Sequence, residues 1–360
     1  MRIGIDCQAL SQKKSSGLGR YTSQLINWLK EVDKTNEYVY LKPTGRFGDR
    51  TYDRLAWENL ILPIRAHLEH LDILHIPAFA APYFFKGIRC SVITIHDLIG
   101  KIFPEHLSLA SRRYWGSWLP FVNSRANCII VDSECTKQDV VKYLNVEPKK
   151  IRVIHLAAGN SFQVENSASR ITALCQKLNI KQPYIFFVGN LEPRKNLSRV
   201  IEAFAKLTHK RKINHQLVIA GTYSWDYEAI SRLVIMHDVV EQVRFLDYVD
   251  DDELVTLYNG SNLFVFPSLY EGFGIPVLEA MSCGVPVLAS KVSSIPEVAG
   301  DAAYYVDPYQ VDEIEAGMIK ILSDRALSSD LRRRGLEQCK RFSWKETAQK
   351  TLEVYHEFAR

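Results

Sequence analysis

The chain has 360 residues, 47% hydrophobic and 24% charged, a composition typical of a globular protein long enough for two domains. Its formal net charge of +4 gives no reason to expect nucleic-acid binding, and no window approaches the roughly 18 uncharged apolar residues of a membrane-spanning helix. Seven cysteines without a CxxC pair or metal-ligand spacing indicate reduced thiols in a cytosolic protein. The start of the chain, residues 1–6, predicts a first strand and no signal peptide, because a charge interrupts the short apolar run.

Short apolar runs alternate with amphipathic segments along the whole chain. Most runs are apolar on both faces, as expected for parallel strands that are covered by helices on both sides. The predicted strands are residues 3–6, 91–95, 128–131, 151–154, 184–188, 216–220, 243–246, 263–266, 285–289 and 303–306. Repeated strand–helix units predict an α/β protein with doubly wound parallel sheets.

A polar stretch at residues 157–169 is rich in turn-forming residues and is the best candidate for a linker. We therefore predict two Rossmann-like domains, residues 1–160 and 161–343, facing each other across a cleft. A C-terminal helix over residues 344–360 is expected to pack back on the first domain.

Gly17 and Gly19 follow the first strand after a ten-residue loop, residues 7–16. We reject an NAD-binding fingerprint, because Thr22 stands where the third glycine is needed and the turn is too long. Two interpretations remain: a glycine-lined lip that approaches a ligand, which we favour, and a flexible surface loop.

His96 and Asp97 come directly after the predicted strand 91–95. Ligands bind beyond the carboxyl ends of strands in doubly wound sheets, so His96 is a candidate for ligand contact. A structural histidine is the alternative. Further on, residues 104–121 combine arginine with tyrosine and tryptophan, a mixture that can lie at a bilayer interface. We favour the simpler interpretation of a buried aromatic face and a basic face in solvent.

The predicted strand 184–188 runs into Gly189 and then into residues 190–196, Asn-Leu-Glu-Pro-Arg-Lys-Asn. Arg194 and Lys195 lie where the next helix begins. Cations are unfavourable at the positive end of a helix dipole unless an anion joins them. The pair therefore predicts an anion site, with a solvated basic turn as the alternative.

Four acidic residues at 250–253 resemble a DxD metal motif. A helical pattern follows directly, and acidic residues at a helix start cap its free N–H groups and suit its dipole. We therefore interpret them as a cap and predict no protein-bound metal.

Glu271 begins the most informative run of the chain. Gly272 and Gly274 permit positive φ or a close backbone approach, and Gly284 suits the end of a helix. With a proline at its start, the pattern predicts a helix over roughly residues 276–283, whose N-terminal amides can receive an anion.

A second carboxylate, Glu279, stands eight residues after Glu271. Eight residues of helix rise about 12 Å, whereas the carboxylate pairs of glycosidases lie about 5–9.5 Å apart. The spacing favours two ends of one extended ligand, such as a nucleotide sugar, over an acid–base pair at one scissile bond.

These motifs together resemble one family. The E-x7-E run from residue 271, with G-F-G and P-x-x-E-A-x-x-C-G-x-P-V, is similar to the donor-site signature of the family 4 glycosyltransferases, which have the GT-B fold. The motifs G-x-L-E-P-R-K-N at 189–196, G-x-G-R-Y at 17–21 and H-D-L at 96–98 are similar to its mannosyltransferase-like branch. Enzymes of that branch build O-antigen and other bacterial polysaccharides, and the resemblance spans nearly the whole chain.

The resemblance implies roles for these positions. Arg194 and Lys195 would bind the donor diphosphate and stabilise the leaving nucleoside diphosphate without a metal or other cofactor. Glu271 would accept hydrogen bonds from sugar hydroxyls, Glu279 would hold the ribose, and His96 would touch the donor sugar or the acceptor. Further donor contacts are implied for Gly17, Gly19, Gly189, Tyr248, Val249, Gly272, Phe273, Gly274 and Ile275.

The resemblance also implies a retaining hexosyltransferase that moves mannose from GDP-mannose to a growing glycan. A polyprenyl-diphosphate-linked acceptor would bring the protein, through residues 104–121, to the cytoplasmic face of the membrane. One alternative is a UDP-sugar donor carrying glucose, galactose or GlcNAc. Others are a phosphorylase or epimerase, and a non-catalytic sugar-nucleotide-binding protein. The lack of a pyridoxal-phosphate lysine motif argues against a phosphorylase. The presence of Arg194, Lys195 and Glu271 argues against a non-catalytic protein.

Overall fold

The computed structural model describes residues 1–11, 17–43, 56–78, 82, 89–165, 167–222 and 227–359. The chain divides into two compact units. The first comprises Met1–Leu156 with Ser343–Arg360, and the second comprises Ala157–Phe342. Among the described residues, each unit holds one six-stranded sheet whose strand pairs are all parallel, which confirms the predicted α/β class.

The sheet of the first unit has the order β2-β1-β3-β4-β5-β6. Its strands are β1 (Arg2–Asp6), β2 (Glu37–Leu41), β3 (Ile73–Ile76), β4 (Cys90–Ile95), β5 (Cys128–Val131) and β6 (Ile151–Val153). The sequence analysis missed β2, an edge strand that begins with an exposed glutamate, and β3, whose short apolar run is interrupted by His75. In the structure His75 is fully buried, and both ring nitrogens have hydrogen-bond partners, which makes a histidine tolerable in a core strand.

Helices cover this sheet. The α-helices of the first unit are Gly17–Val32, Leu62–Leu68, Ile99–Ile102, Leu109–Arg113, Leu119–Asn123, Glu134–Leu144 and Trp344–Phe358. Short 3₁₀ turns lie at Gln8–Ser11, Pro104–His106 and Pro148–Lys150, and π-helical turns at Trp57–Ile61 and Tyr114–Trp118.

The C-terminal helix Trp344–Phe358 belongs to the first unit and packs against the helix Gly17–Val32. Thr347 Oγ1 donates a hydrogen bond to the carbonyl of His155 at 2.7 Å. Deeper in the core, Tyr355 Oη lies 2.5 Å from His75 Nδ1. These contacts fix the end of the chain on a unit whose other residues all precede position 157.

The sheet of the second unit has the order β12-β11-β10-β7-β8-β9. Its strands are β7 (Tyr184–Val188), β8 (Gln216–Ala220), β9 (Val243–Leu246), β10 (Leu263–Phe266), β11 (Val287–Ser290) and β12 (Ala303–Val306). Alternate residues of β7 enter two different apolar clusters, Phe186 on one face and Phe187 on the other. The sheet is therefore buried on both faces, which explains why its strands read as continuous apolar runs.

The α-helices of the second unit are Ala168–Lys177, Leu197–His209, Tyr227–Met236, Asp251–Gly260, Ile275–Ser282, Ile295–Ala299, Val311–Ser323 and Arg325–Cys339. Two 3₁₀ turns lie at Pro193–Lys195 and Val240–Gln242. No helix in the described part of the chain combines the length and apolarity needed to cross a bilayer.

Four predicted strands differ from the structure by one or two residues at an end, and the largest difference is at residue 285. The strand predicted from residue 285 begins two residues later, at Val287. Gly284 has a left-handed φ of 67°, and the Val285 N–H donates to the carbonyl of Ala280 at 3.0 Å. These features close the preceding helix, so residue 285 belongs to a helix cap.

The acidic run at residues 250–253 caps a helix, as predicted. Asp250 accepts a hydrogen bond from the Glu253 N–H at 2.8 Å, and the helix Asp251–Gly260 follows. Among the described residues, no group of three or more histidine, cysteine, aspartate or glutamate side chains is placed to hold a metal ion.

Candidate functional site

Two glycines bring neighbouring loops of the second unit into backbone contact. Gly189 follows β7 and Gly221 follows β8, and each has a φ of 153°. A Cβ atom on Gly221 would lie 2.0 Å from the carbonyl oxygen of Gly189, so the contact requires glycine. Gly221 thus allows the backbone of Gly189 to approach at the start of the loop that carries Arg194 and Lys195.

This loop ends in the 3₁₀ turn Pro193–Lys195 and in Asn196, whose φ of 62° is left-handed. The buried Asn196 side chain donates to the carbonyls of Pro267 at 3.0 Å and Pro308 at 2.6 Å. The asparagine therefore ties the loop after β7 to two other loops of the same unit.

Arg194 and Lys195 converge on Glu271, which the sequence separates from them by more than seventy residues. Lys195 Nζ donates to Glu271 Oε1 at 2.7 Å, and Arg194 Nη1 donates to Glu271 Oε2 at 2.9 Å. Arg194 Nε donates to Glu192 Oε2 at 2.8 Å. The side chains of Glu271, Lys195 and Arg194 are 9%, 10% and 17% exposed, so the ion pairs are largely shielded from water. We call Arg194, Lys195, Glu192 and Glu271 together the cation cluster.

Burial and charge oppose each other in the cation cluster. Burial raises the pKa of Glu271, but the charges of Lys195 and Arg194 outweigh it and hold the pKa below its usual value. Burial also lowers the pKa of Lys195, and Arg194 lowers it further, against the attraction of Glu271. On balance the pKa of Lys195 is lowered, chiefly by burial, and an additional anion beside it would favour its charged form.

Two serines that sequence reasoning missed hold the loop around Glu271. The Glu271 N–H donates to Ser293 Oγ at 3.0 Å. Ser294 Oγ donates to the carbonyls of Glu271 at 2.9 Å and Phe273 at 2.8 Å. Nothing local marks these serines, because they follow β11 and meet the loop only in the folded unit.

The predicted helix after this loop is confirmed and begins one residue early, as Ile275–Ser282. Gly274 precedes it with a φ of 110°, and a Cβ there would lie 2.8 Å from Ile295 Cδ1. The N-cap residue is Gly274, which has no side chain to cap the helix, and an anion at its N-terminal amides stays a prediction. Gly272 and Phe273, both buried, complete the loop.

Glu279 lies on the buried side of this helix and is 4% exposed. Tyr258 Oη donates to Glu279 Oε2 at 3.1 Å. Tyr258 was missed because its spacing within an amphipathic helix is that of an ordinary core residue. The hydrogen bond orients one oxygen of the carboxylate that the motif singled out.

Tyr248 and Val249 follow β9, two strands from β7 in the sheet order. Val249 is buried, and Tyr248 is 42% exposed with its N–H on Asp247 Oδ1 at 2.7 Å. Both therefore lie at the carboxyl edge that also carries Arg194 and Lys195.

In the first unit, Gly17 and Gly19 open a helix and do not lie in a loop, and their approach to a ligand stays a prediction. Gly17 and Gly19 form the first turn of the helix Gly17–Val32, because the amphipathic pattern of that helix extends back to them. Gly19 is buried, whereas a Cβ on Gly17 would meet nothing within 4 Å. Residues 12–16 of the preceding loop lie outside the described residues.

His96 follows β4, and Asp132 occupies the corresponding position after β5. The two strands are neighbours, with Ile95 paired to Val131, so their carboxyl ends place the two side chains together. His96 Nδ1 lies 2.6 Å from Asp132 Oδ2, and the ring of Tyr21 packs edge-on at 4.5 Å between centroids. Asp132 was missed, although its position directly after an apolar strand matches that of His96.

The charge of His96 depends on this pair. Burial lowers the pKa of His96, but the negative charge of Asp132 and its hydrogen bond outweigh burial and raise the pKa. Burial raises the pKa of Asp132 against the attraction of His96. His96 Nε2 and Asp132 Oδ1 are both buried and have no hydrogen-bond partner among the described residues.

The segment 104–121 divides the aromatic residues between core and surface. Tyr114 and Trp115 pack against the core of the first unit, as the favoured interpretation predicted. Leu109, Trp118 and Phe121 are instead 78%, 37% and 49% exposed. The aromatic face is therefore only partly buried.

Two known families match the chain, one in each unit. Residues 17–157 match Glycosyltransferase Family 4, and residues 172–338 match Glycosyl transferases group 1. The matches follow the division into units.

Among curated proteins, the chain is similar to O-antigen chain mannosyltransferase B of Escherichia coli. The two are 33% identical over 284 residues, which cover 79% of this chain and 74% of the relative. Among solved structures, sucrose-phosphate synthase from Thermosynechococcus elongatus has a TM-score of 0.77 at 19% identity, covering 99% of this chain and 98% of that one. HepE from Anabaena, solved with UDP and glucose, has a TM-score of 0.75 at 18% identity, covering 99% of this chain and all of that one.

The structural neighbours establish the fold, and the family matches and the curated relative establish the family. The resemblance drawn from the motifs is confirmed on both counts. The chain belongs to the family 4 glycosyltransferases and has the GT-B fold.

Proposed function

We propose that this glycosyltransferase transfers mannose from GDP-mannose to a growing glycan of a cell-surface polysaccharide, with retention of the anomeric configuration. The observation that carries the proposal is the cation cluster at the carboxyl edge of the second sheet. The choice of mannose is supported by the relative from Escherichia coli, an O-antigen chain mannosyltransferase.

The donor diphosphate is proposed to bind at the cation cluster, beside Arg194 and Lys195. Lys195 is buried beside another cation, with Glu271 as a carboxylate shared between them. A diphosphate brings negative charge, and this charge grows on the leaving oxygen as the sugar departs. Cations fixed in place beforehand stabilise that developing charge without reorganising during the reaction.

In the proposed reaction the bond between the anomeric carbon and the diphosphate oxygen breaks, and a bond from the same carbon to an acceptor hydroxyl oxygen forms. Attack on the face that the leaving group departs from retains the configuration. The acceptor proton passes to the departing diphosphate oxygen, which becomes part of the free nucleoside diphosphate. Arg194 and Lys195 supply the positive charge for this step, so the proposal requires no metal.

The other predicted residues have positions compatible with donor binding. Glu271 can hold both cations and still accept hydrogen bonds from sugar hydroxyls, because a carboxylate has about four lone-pair sites. Glu279, oriented by Tyr258, is proposed to hold the ribose. Tyr248 and Val249 are proposed to lie along the base.

A donor screen tests the proposal. The purified protein is assayed for thermal stabilisation and for nucleoside diphosphate release with GDP-mannose, GDP-fucose, UDP-glucose, UDP-galactose and UDP-GlcNAc. The proposal expects the largest stabilisation and turnover with GDP-mannose. If only a UDP-sugar is turned over, the proposed donor GDP-mannose is wrong and that UDP-sugar is the donor. If a donor stabilises the protein but no acceptor glycan gives turnover, a non-catalytic binding protein is favoured.

We also propose that the first unit touches the cytoplasmic face of the membrane to reach a lipid-linked acceptor. Leu109, Trp118 and Phe121 are large apolar side chains that are exposed in the segment 104–121. Arg113 lines a shallow cavity of about 480 Å³ together with Trp118 and Phe121. Exposed aromatic side chains beside arginine suit an anionic lipid interface.

Liposome flotation tests this contact. Because Trp115 fills the space over Gly100, changing it would damage the core, so the informative variant is Trp118→Ser with Phe121→Ser. We expect the wild type to float with anionic vesicles and this variant to stay in solution. The control is Ile235→Ser with Met236→Ser, apolar residues of the second unit that are more exposed than Trp118 and Phe121. Equal flotation of wild type and the first variant would contradict the proposal.

A further inference from the structure

The pair formed by His96 and Asp132 has a feature that an ordinary buried ion pair lacks. Asp132 is 2% exposed and uses one carboxylate oxygen for His96, while its other oxygen has no partner among the described residues. Buried polar atoms normally have hydrogen-bond partners, and an exception costs about 1–3 kcal/mol. A carboxylate whose purpose was structural would be expected to bind both oxygens.

The histidine shows the same incompleteness. Its Nδ1 is bound to Asp132, whereas its Nε2 is buried without a partner in the described part of the chain. The side chain as a whole is nevertheless 24% exposed, so the ring reaches the surface of the protein. It lies at the carboxyl edge of a doubly wound sheet, where ligands bind.

The ring is also held from a second side. Tyr21 packs its ring against His96, and its hydroxyl lies 3.1 Å from Thr94 Oγ1. Thr94 is in turn 2.8 Å from His75 Nε2, and His75 Nδ1 is 2.5 Å from Tyr355 Oη. A continuous buried network therefore fixes Tyr21, and through it the orientation of the His96 ring.

We propose that Asp132 is a positioning residue for sugar transfer: together with Tyr21, it holds His96 so that Nε2 contacts a hydroxyl group of the sugar substrate. The hydrogen bond at Nδ1 determines which ring nitrogen carries the exchangeable proton. With Nδ1–H donated to Asp132, Nε2 of the neutral ring accepts a hydrogen bond from a sugar hydroxyl, and protonation of the ring removes that acceptor. This inference rests on the proposed function, because it requires a sugar substrate.

The charges around the ring are few. Asp132 and Asp97 act on His96, His96 acts on the neutral buried His75, and His155 acts on Asp132. Replacing Asp132 removes the largest influence that favours the charged ring. The pH dependence of transfer should therefore report the loss of this carboxylate.

The test uses the full chain with its working donor and compares wild type, Asp132→Asn, His96→Gln and the double variant. We expect Asp132→Asn to lower kcat/KM by 10–100-fold, to shift the acid limb of the pH profile to lower pH, and to change the tautomer signal of His96 in ¹⁵N NMR. The double variant should be no worse than His96→Gln, because Asp132 acts through His96. Nucleoside diphosphate affinity should stay unchanged.

The control is Asp33→Asn in the same unit. Asp33 is buried and accepts hydrogen bonds from the Thr35 N–H at 2.9 Å and from Tyr38 Oη at 2.7 Å, so its loss destabilises the unit without touching His96. Equal losses of activity in Asp132→Asn and Asp33→Asn, or a double variant whose loss multiplies those of the single variants, would overturn the inference. A wild type that is active while Asp132→Asn stays within threefold would also overturn it. A wild type inactive with every donor would instead remove the proposed function.

Discussion

The polar side chains at the carboxyl edges of the two sheets differ in how completely they are paired. In the second unit, Glu271 holds Lys195 and Arg194 with both of its oxygens. In the first unit, His96 and Asp132 each retain a buried atom without a partner among the described residues. The cation cluster is therefore fully paired without a ligand, whereas the histidine pair leaves two buried polar atoms for which the described residues supply no partner.

This difference suggests a division of labour between the units. A preformed cluster suits a charged group that must be stabilised as its charge grows. An incomplete pair suits recognition of a neutral hydroxyl, since a site with an unsatisfied polar atom discriminates strongly against substrates lacking the matching group. Variants in each region can separate the two behaviours.

The largest expected effect is on stability, from Glu271→Gln. Removing the carboxylate leaves Lys195 buried without its counter-charge, and breaking a buried pair costs about 3–5 kcal/mol. Thermal and denaturant unfolding would measure the loss. The control is Glu192→Gln, whose carboxylate is 35% exposed and should contribute less than about 1 kcal/mol. Equal effects in the two variants would mean that the cluster is not held as the structure indicates.

The same variant carries a pH prediction. Because the pKa of Glu271 is lowered in the folded chain, its stabilising contribution is fully present above the pKa of the unfolded side chain. The contribution is lost as the pH falls through the lower, folded value. The stability difference between wild type and Glu271→Gln should therefore narrow in the acid range. A difference that widens there would contradict the direction of the shift.

The next effect is on turnover, from Lys195→Ala. If Lys195 stabilises the leaving diphosphate, turnover should fall about 100-fold or more, which corresponds to about 2.7 kcal/mol at 1.36 kcal/mol per decade. Lys210→Ala is the matched control, because Lys210 also pairs with a buried glutamate, Glu315, at 2.7 Å in the same unit. Steady-state kinetics with the working donor decide the matter. Activity within about threefold of wild type would remove the phosphate role.

The comparison of the two edges also shows what the sequence can predict. His96 was identified because it directly follows a strand, Arg194 and Lys195 because they lie where a helix begins, and Glu271 because it opens a loop with glycine and proline. Such signals are local. That Arg194, Lys195 and Glu271 serve one donor was implied by the family resemblance, and their direct contact was not predicted. The hydrogen bonds that join them depend on the register of β7 against β10.

The residues that were missed have the opposite character. Asp132, Tyr258, Ser293 and Ser294 each contact a site residue that lies at least twenty positions away in the sequence. The local sequence around each of these residues is typical of an ordinary strand end, core helix or turn. Long-range partners of this kind have no periodic or compositional signal, so three-dimensional structure is needed to find them.

A smaller effect is expected from Tyr355→Phe, which tests the network behind the histidine pair. The change removes the hydroxyl bonded to His75, whose pKa burial lowers to about 3, and leaves a buried ring nitrogen unpaired. Unfolding free energy should fall by about 1–3 kcal/mol. Tyr309→Phe, at a side chain 55% exposed, should stay within about 0.5 kcal/mol. Equal stability of Tyr355→Phe and wild type would show that the network does not hold the ring.

The smallest effect should come from Tyr258→Phe, which leaves the cation cluster intact and removes the hydrogen bond to Glu279 Oε2. If Glu279 holds the donor ribose, losing its orienting hydroxyl should raise the donor KM about fivefold, or about 1 kcal/mol, with kcat nearly unchanged. Glu279→Ala should raise the KM further in the same direction. The matching variant at the other edge, Asp132→Asn, is expected to leave nucleotide affinity unchanged. If Tyr258→Phe instead lowered kcat with KM constant, Glu279 would act on the transition state. The second unit would then stabilise the transition state through Glu279 as well as through the charges of the cation cluster.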